Sequence, residues 1–285
     1  MSGSPSIPAR APGDGDIGER RCHKPAIAAG SALLCVALLI AAWHTAGAAW
    51  SASCPPPVII WAWERPDDLS GLDPQVAGVA YLAKTLVLRN DTIEVRQRRQ
   101  PLALSRGIWL APVVRIEVAR KSSPALSAEQ SERVAREVLA LVRPGTPAVQ
   151  IDFDAARSQR AFYSGVLTVV RARLPSGTRL SITALASWAL FDTWIDALPI
   201  DEAVPMLFRM GADTADVRRR LGDSGAFRAV LARSALGIST DETFAPLPAG
   251  RRVYLFSPKT WTPAATAAAI REVTSWQGTV SCSPS

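Results

Sequence analysis

Short apolar runs rich in β-branched residues alternate with longer stretches of helical periodicity, and this alternation limits the fold more than any other feature of the chain. Strand followed by helix followed by strand implies a parallel sheet, because parallel strands need a long crossover that a helix supplies. Apolar runs and turn signals predict strands at 58–63, 78–88, 112–119, 148–154, 179–186, 203–208, 235–239 and 252–256. Helices are predicted at 127–142, where Ser127 and Gln130 form a capping box, at 156–173, and at 263–277, where Thr262 caps and Pro263 takes the first turn. Eight strands in the roughly 230 residues that follow the N-terminal segment suit one irregular (β/α)8 barrel of the TIM type, an α/β fold. The alternation lapses twice. Leu86 to Val95 folds back at Asn90-Asp91 like a hairpin, and no good helix lies between Ser239 and Val253. An open doubly wound sheet is the alternative architecture.

The ends of the chain divide it into three parts. Residues 1–24 are a polar tail ending in Arg20-Arg21-Cys22-His23-Lys24, residues 25–53 hold an almost wholly apolar run from Ala26 to Trp43, and residues 54–285 form the barrel domain. Basic residues before an apolar run keep the N-terminus in the cytoplasm and send the rest across the membrane, so the domain is expected to be periplasmic or otherwise extracytoplasmic. Ala46-Gly47-Ala48 offers a cleavage site, and an uncleaved segment would instead anchor the protein in the inner membrane. Cys54 and Cys282 remain after that segment, and an oxidising compartment favours a disulfide between them. Lipid modification of Cys54 is the competing reading, although Ser51 stands where that signal usually carries leucine.

Residues 1–24 carry four basic and three acidic side chains, so most of the formal charge of +7 belongs to the domain. Outside the cytoplasm nucleic acid is not an expected partner, whereas anionic glycans and lipid headgroups are available. The runs Arg96-Gln-Arg98-Arg99 and Arg218-Arg219-Arg220 read as solvated faces without the interleaved aromatics of a nucleic-acid groove.

Val149-Gln-Ile-Asp-Phe-Asp154 is an apolar strand ending in two aspartates, and side chains alternate along a strand, so Asp152 and Asp154 share a face. In alternating α/β folds the carboxyl ends of the strands carry the chemistry. His23 and His44 are the only histidines, so the exported part contains none. That argues against a Ser-His-Asp triad, a Cys-His pair and the usual histidine-bearing zinc sites. Carboxylate chemistry points first to glycosidic bonds, with no metal and no cofactor called for. Arg115 and Glu117 share a face of the preceding strand, Ser181 and Thr183 lie on the following one, and Trp63 and Glu64 end the first. Glu117 and Glu64 are therefore candidate acids beside Asp152 and Asp154, and Arg115, Thr183 and Trp63 candidate substrate contacts. Trp188 and Trp261 follow strands five and eight and are the indoles expected to stack on a sugar ring.

Several stretches resemble a bacterial family catalogued as domain of unknown function 3142: Trp61-Ala-Trp-Glu-Arg-Pro-Asp-Asp-Leu69, Gln150-Ile-Asp-Phe-Asp-Ala155, Leu180-Ser-Ile-Thr-Ala-Leu-Ala-Ser-Trp188 and Asp201-Glu-Ala-Val-Pro-Met-Leu-Phe-Arg-Met-Gly211. More distantly, the chain resembles family 18 glycoside hydrolases, the chitinase-type barrels, with their Asp-x-x-Asp-x-Asp-x-Glu and Met-x-Tyr-Asp motifs. Asp152 and Asp154 match the second and third acids of the first motif, while Val149 and Ala156 replace its first aspartate and its acid glutamate. Met206 matches the second motif, in which Phe208 and Arg209 replace tyrosine and aspartate, so Met206 and Arg209 join the candidate substrate contacts.

Three functions follow as expectations. The first is a cell-envelope hydrolase that cuts a polysaccharide or oligosaccharide through Asp154 and a substitute acid. The second is a glycan-binding barrel without catalysis, and the third a structural domain tethered to the membrane. Nucleotide-sugar transfer through a metal-binding Asp-x-Asp ranks below them.

Overall fold

A computed structural model describes residues 54–243 and 247–280. The strands are β1 (Val58–Ala62), β2 (Asp67–Leu69), β3 (Ala77–Arg89), β4 (Thr92–Gln97), β5 (Leu102–Leu104), β6 (Leu110–Val118), β7 (Ala148–Asp152), β8 (Arg179–Leu185), β9 (Glu202–Met206), β10 (Ala235–Ser239) and β11 (Arg252–Phe256). The helices are α1 (Ala128–Leu139), α2 (Arg160–Arg173), α3 (Ala186–Phe191), α4 (Thr214–Ser224) and α5 (Pro263–Gln277). Strands β1, β3, β6, β7, β8, β9, β10 and β11 pair in parallel in that order, and β11 returns to β1, so the sheet closes into an eight-stranded TIM-type barrel. The open doubly wound alternative is thereby excluded.

Period-two alternation explains why these strands close. On β1, Val58, Ile60 and Ala62 face outward into the layer shared with the helices, while Ile59 and Trp61 face the lumen. The other strands repeat this, with Val149 and Ile151 or Val253 and Leu255 outside and Ala148 or Tyr254 inside. Helices cover the outer face: α2 buries Phe162, Tyr163, Val166, Leu167 and Val170 against it. The Ser127 side chain accepts from the Gln130 N–H, and that of Thr262 from the Ala265 N–H, so the caps expected at α1 and α5 form. Lys84 Nζ bonds Glu137 of α1 at 2.8 Å, tying β3 to that helix.

The two predicted lapses have different structures. Between β3 and β6 the chain makes the expected hairpin, with β4 antiparallel to β3, Arg89 opposite Thr92 and Asn90 at φ 48°. Asparagine tolerates that left-handed conformation better than most residues. β5 then pairs with β2 in a separate two-stranded sheet. Between β10 and β11 no helix occurs among the described residues.

Gly237 on β10 is required by the lumen, since a Cβ there would lie 2.8 Å from the indole of Trp61. Among the described residues no helix is long and apolar enough to cross a membrane. The expected signal or anchor segment lies outside the described residues, as does Cys282, on which the predicted pairing with Cys54 depends.

Candidate functional site

At the carboxyl ends of the barrel strands a cleft of about 500 Å³ opens to solvent. Asp152, at the end of β7, and Asp154, two residues on, both line it. Arg115 of β6 is in register with Asp152, and its Nε lies 3.7 Å from an Asp152 carboxylate oxygen and 3.1 Å from Glu117. Thr183 of β8 donates its hydroxyl to Asp152 at 2.6 Å. Strand register thus gathers four of the predicted residues, and Asp154 follows at the cleft surface.

Asp152 is only 9% exposed, and burial is the main reason its pKa rises to about 6. Asp154 and Glu117 push it further up, while the Thr183 hydroxyl and Arg115 pull it down. The carboxyl of Asp154 is also raised, by desolvation against the opposing charge of Arg115. Asp154 is the more solvent-exposed of the two aspartates.

The opposite wall is aromatic. Phe208 and Phe256 stack with ring centroids 5.4 Å apart and planes within 3°. Trp63 meets Phe256 edge-on at 6.3 Å, and the Arg209 guanidinium lies 5.2 Å from the Phe256 centroid. Arg209 takes a left-handed φ of 51°, and its N–H donates to the Glu242 carboxylate at 3.0 Å. Its guanidinium pairs with Asp241, also at 3.0 Å. A non-glycine residue in that conformation, held at both backbone and side chain, fixes a cation at the rim. Met206 completes this side.

Three candidates lie elsewhere, each for a packing reason. Glu64 is exposed and outside the cleft lining, because its carboxylate accepts from the backbone N–H groups of Arg99 and Gln100 at 2.9 and 3.3 Å. Trp188, expected as an exposed indole, is 6% exposed in α3, edge-on to Trp194 and covered by Arg160. Trp261 is 2% exposed and donates its indole N–H to the Trp61 carbonyl at 3.0 Å, locking the chain after β11 onto β1.

Phe208 and Phe256 supply the stacking wall expected of those tryptophans. Phe256 was legible by the same alternation that selected Asp152, since Arg252, Tyr254 and Phe256 share one face of β11. The loop carrying Trp63 and Arg65 is clamped by Arg98, whose guanidinium donates to the carbonyl oxygens of Ala62, Trp63 and Arg65. Among the described residues no group of three or more His, Cys, Asp or Glu side chains is placed to hold a metal ion.

No family model and no curated protein matches this chain, so the resemblance to domain of unknown function 3142 rests on the quoted segments alone. Among solved structures the chain is similar to the Bacillus cereus spore cortex-lytic enzyme SleL, with a TM-score of 0.40 and 15% identity. The match covers 76% of this chain and 58% of that one, so the chain spans little more than half the length of SleL.

Proposed function

We propose that this barrel is a glycoside hydrolase-like protein of the cell envelope, which binds a polysaccharide across its mouth and cleaves it with the Asp152–Asp154 carboxyl pair. The observation that carries the reading is the facing of two chemistries in one cleft, carboxyl groups with raised pKa on one wall and the Trp63, Phe208 and Phe256 rings on the other. A sugar ring offers an apolar C–H face to an aromatic, and its glycosidic oxygen needs a proton before it leaves. The pair retains a proton at mildly acidic pH, and Asp154, exposed at the cleft, delivers it to the glycosidic oxygen as that C–O bond breaks, while a water forms the new bond to the anomeric carbon and returns its proton to the pair. Arg115 offsets the charge that develops as the proton departs.

The test is reducing-end release by the full chain from a panel of bacterial envelope and secreted polysaccharides, beside Asp154→Asn. Release that the variant lowers about 10²- to 10⁴-fold supports the reading. The pair must hold a proton for Asp154 to donate one, so release should fall as pH rises through about 6, where Asp152, the more buried member of the pair, gives up its proton.

A second reading, glycan binding without cleavage, is favoured by one observation. Ala156 occupies the position matching the missing acid, and Glu64 sits outside the cleft. Binding without release, undiminished in Asp154→Asn, would select it.

A further inference from the structure

The acids stand between two clefts. Arg115, Asp152 and Asp154 line the aromatic cleft, and the same three line a second opening of about 710 Å³ on the side of the β3–β4 hairpin. A chain of sugars with one linkage over the aspartates would enter both. The second opening is walled by Arg89, Arg96 and Arg120, and the aromatic in its lining, Phe153, is 3% exposed.

Strand register explains how the hairpin brings charge to the acids. Thr85 of β3 is opposite Arg96 on one side and Arg115 on the other, and Arg115 is opposite Asp152. Directly paired residues project from the same face of a sheet, so Arg96, Thr85, Arg115 and Asp152 form one row across four strands. The hairpin that replaces a helix after β3 thus extends the floor of the mouth with guanidinium groups. Along the hairpin the carboxylates paired with them are fewer than the cations. Arg96 and Arg89 share Glu94, at 2.7 and 3.8 Å, whereas Arg115 takes both Glu117 and Asp152. Arg120 is exposed and has no ion pair among the described residues. The three guanidinium groups of the outer wall, Arg89, Arg96 and Arg120, therefore have Glu94 as their one ion-pair partner among the described residues, and the side chains of Arg89 and Arg96 remain 52% and 55% exposed.

We infer that the polysaccharide taken by this site is anionic, its sugars carrying carboxylates that the Arg89–Arg96–Arg120 wall binds while a neighbouring ring lies on the aromatic wall. Guanidinium groups recognise planar carboxylates through paired hydrogen bonds, so the wall selects fixed charge on the sugar. The inference rests on the carbohydrate reading above and narrows its substrate class.

The experiment measures binding of the full chain to polygalacturonate, alginate and hyaluronate, each beside its fully methyl-esterified form, which keeps the backbone and removes the charge. Polyglutamate serves as a polyanion without sugars. At least one acid polymer should bind about tenfold or more tightly than its ester, as expected for the loss of charge-assisted hydrogen bonds. The triple variant Arg89→Gln, Arg96→Gln, Arg120→Gln should erase that preference with an unchanged thermal transition. The variant Arg218→Gln, Arg219→Gln, Arg220→Gln, which alters the basic run on α4, should keep it.

Equal binding of acid and ester forms, with Asp154-dependent release retained in the polysaccharide panel, overturns the anionic inference and leaves the carbohydrate reading standing. Polyglutamate binding as tightly as the sugars overturns it as well, by showing general polyanion attraction. Binding of no polymer, together with no release from that panel, overturns both.

Discussion

Two polar layers lie one above the other in the barrel lumen, built from neighbouring positions of the same strands. Gln150 and Ser181 belong to the lower layer, and Asp152 and Thr183, two residues further along β7 and β8, belong to the upper. In the lower layer each group finds a partner. Trp61 donates to Gln150 at 2.7 Å, Gln150 to Ser181 at 3.1 Å and Tyr254 to Glu202 at 2.8 Å. Arg252 pairs with the other Glu202 oxygen and also bonds the Pro56 carbonyl. The upper layer has the same kinds of group but opens onto the cleft, and its buried acid is held where ionisation is costly. Closure of a polar network gives rigidity, and leaving it open gives chemistry.

The sharpest way to break the comparison is to remove one charge from each layer. Glu202→Gln would leave Arg252, 7% exposed, without its counter-charge, and breaking such a buried pair costs about 3–5 kcal/mol. Urea unfolding measures it, and a loss below about 1 kcal/mol would show that the lower layer is incidental to stability. Next in size is Gly237→Ala. Its new methyl would meet the Trp61 ring that roofs the lower layer, for a cost of about 2 kcal/mol from overpacking. The same urea titration checks it, and a neutral result would mean that the indole can move aside.

Sequence reasoning reached the barrel because each of the eight barrel strands is a short, largely apolar run with at least one β-branched residue, and turn residues bound these runs. It also reached Asp152, Arg115 and Thr183, since alternation dictates facing and neighbouring parallel strands set the register. The two layers were not separable that way. Gln150 and Asp152 differ by one strand step, and the closure of the lower layer depends on Glu202 of β9 with Tyr254 and Arg252 of β11, 50 or more residues downstream of β7. Trp188 and Trp261 misled for a related reason: an indole just after a strand is at the mouth by position, but the body of the helix layer is also there. Trp188 turns into that layer, and Trp261 turns under β1. The exposure of Glu64 was hidden too, because the segment between β4 and β5 supplies, from Arg99 and Gln100, the N–H groups that draw its carboxylate away.

The last of the three effects, comparable in size to the second, is the most informative about the upper layer, because its sign is opposite. Asp152 has a folded-state pKa raised from 3.8 to about 6, so between those values the folded protein holds a proton that the unfolded chain has released. Its contribution to stability is complete below about pH 4 and is lost as pH rises through about 6, by roughly 2–3 kcal/mol. Asp152→Asn keeps an acceptor for Thr183 and removes the ionisation. The variant should match wild type near pH 3 and exceed it by about 2 kcal/mol at pH 8, while releasing less sugar at every pH. Unfolding midpoints at the two pH values read the first part and reducing-end release the second. A variant less stable than wild type at pH 8 would mean that the Asp152 charge is held favourably by Arg115, and the upper layer would then be closed in the same sense as the lower. Greater stability with lower activity would instead show that the upper layer is kept under electrostatic strain by its place at the mouth, which the lower layer, from the same strands, avoids through Arg252 and Tyr254.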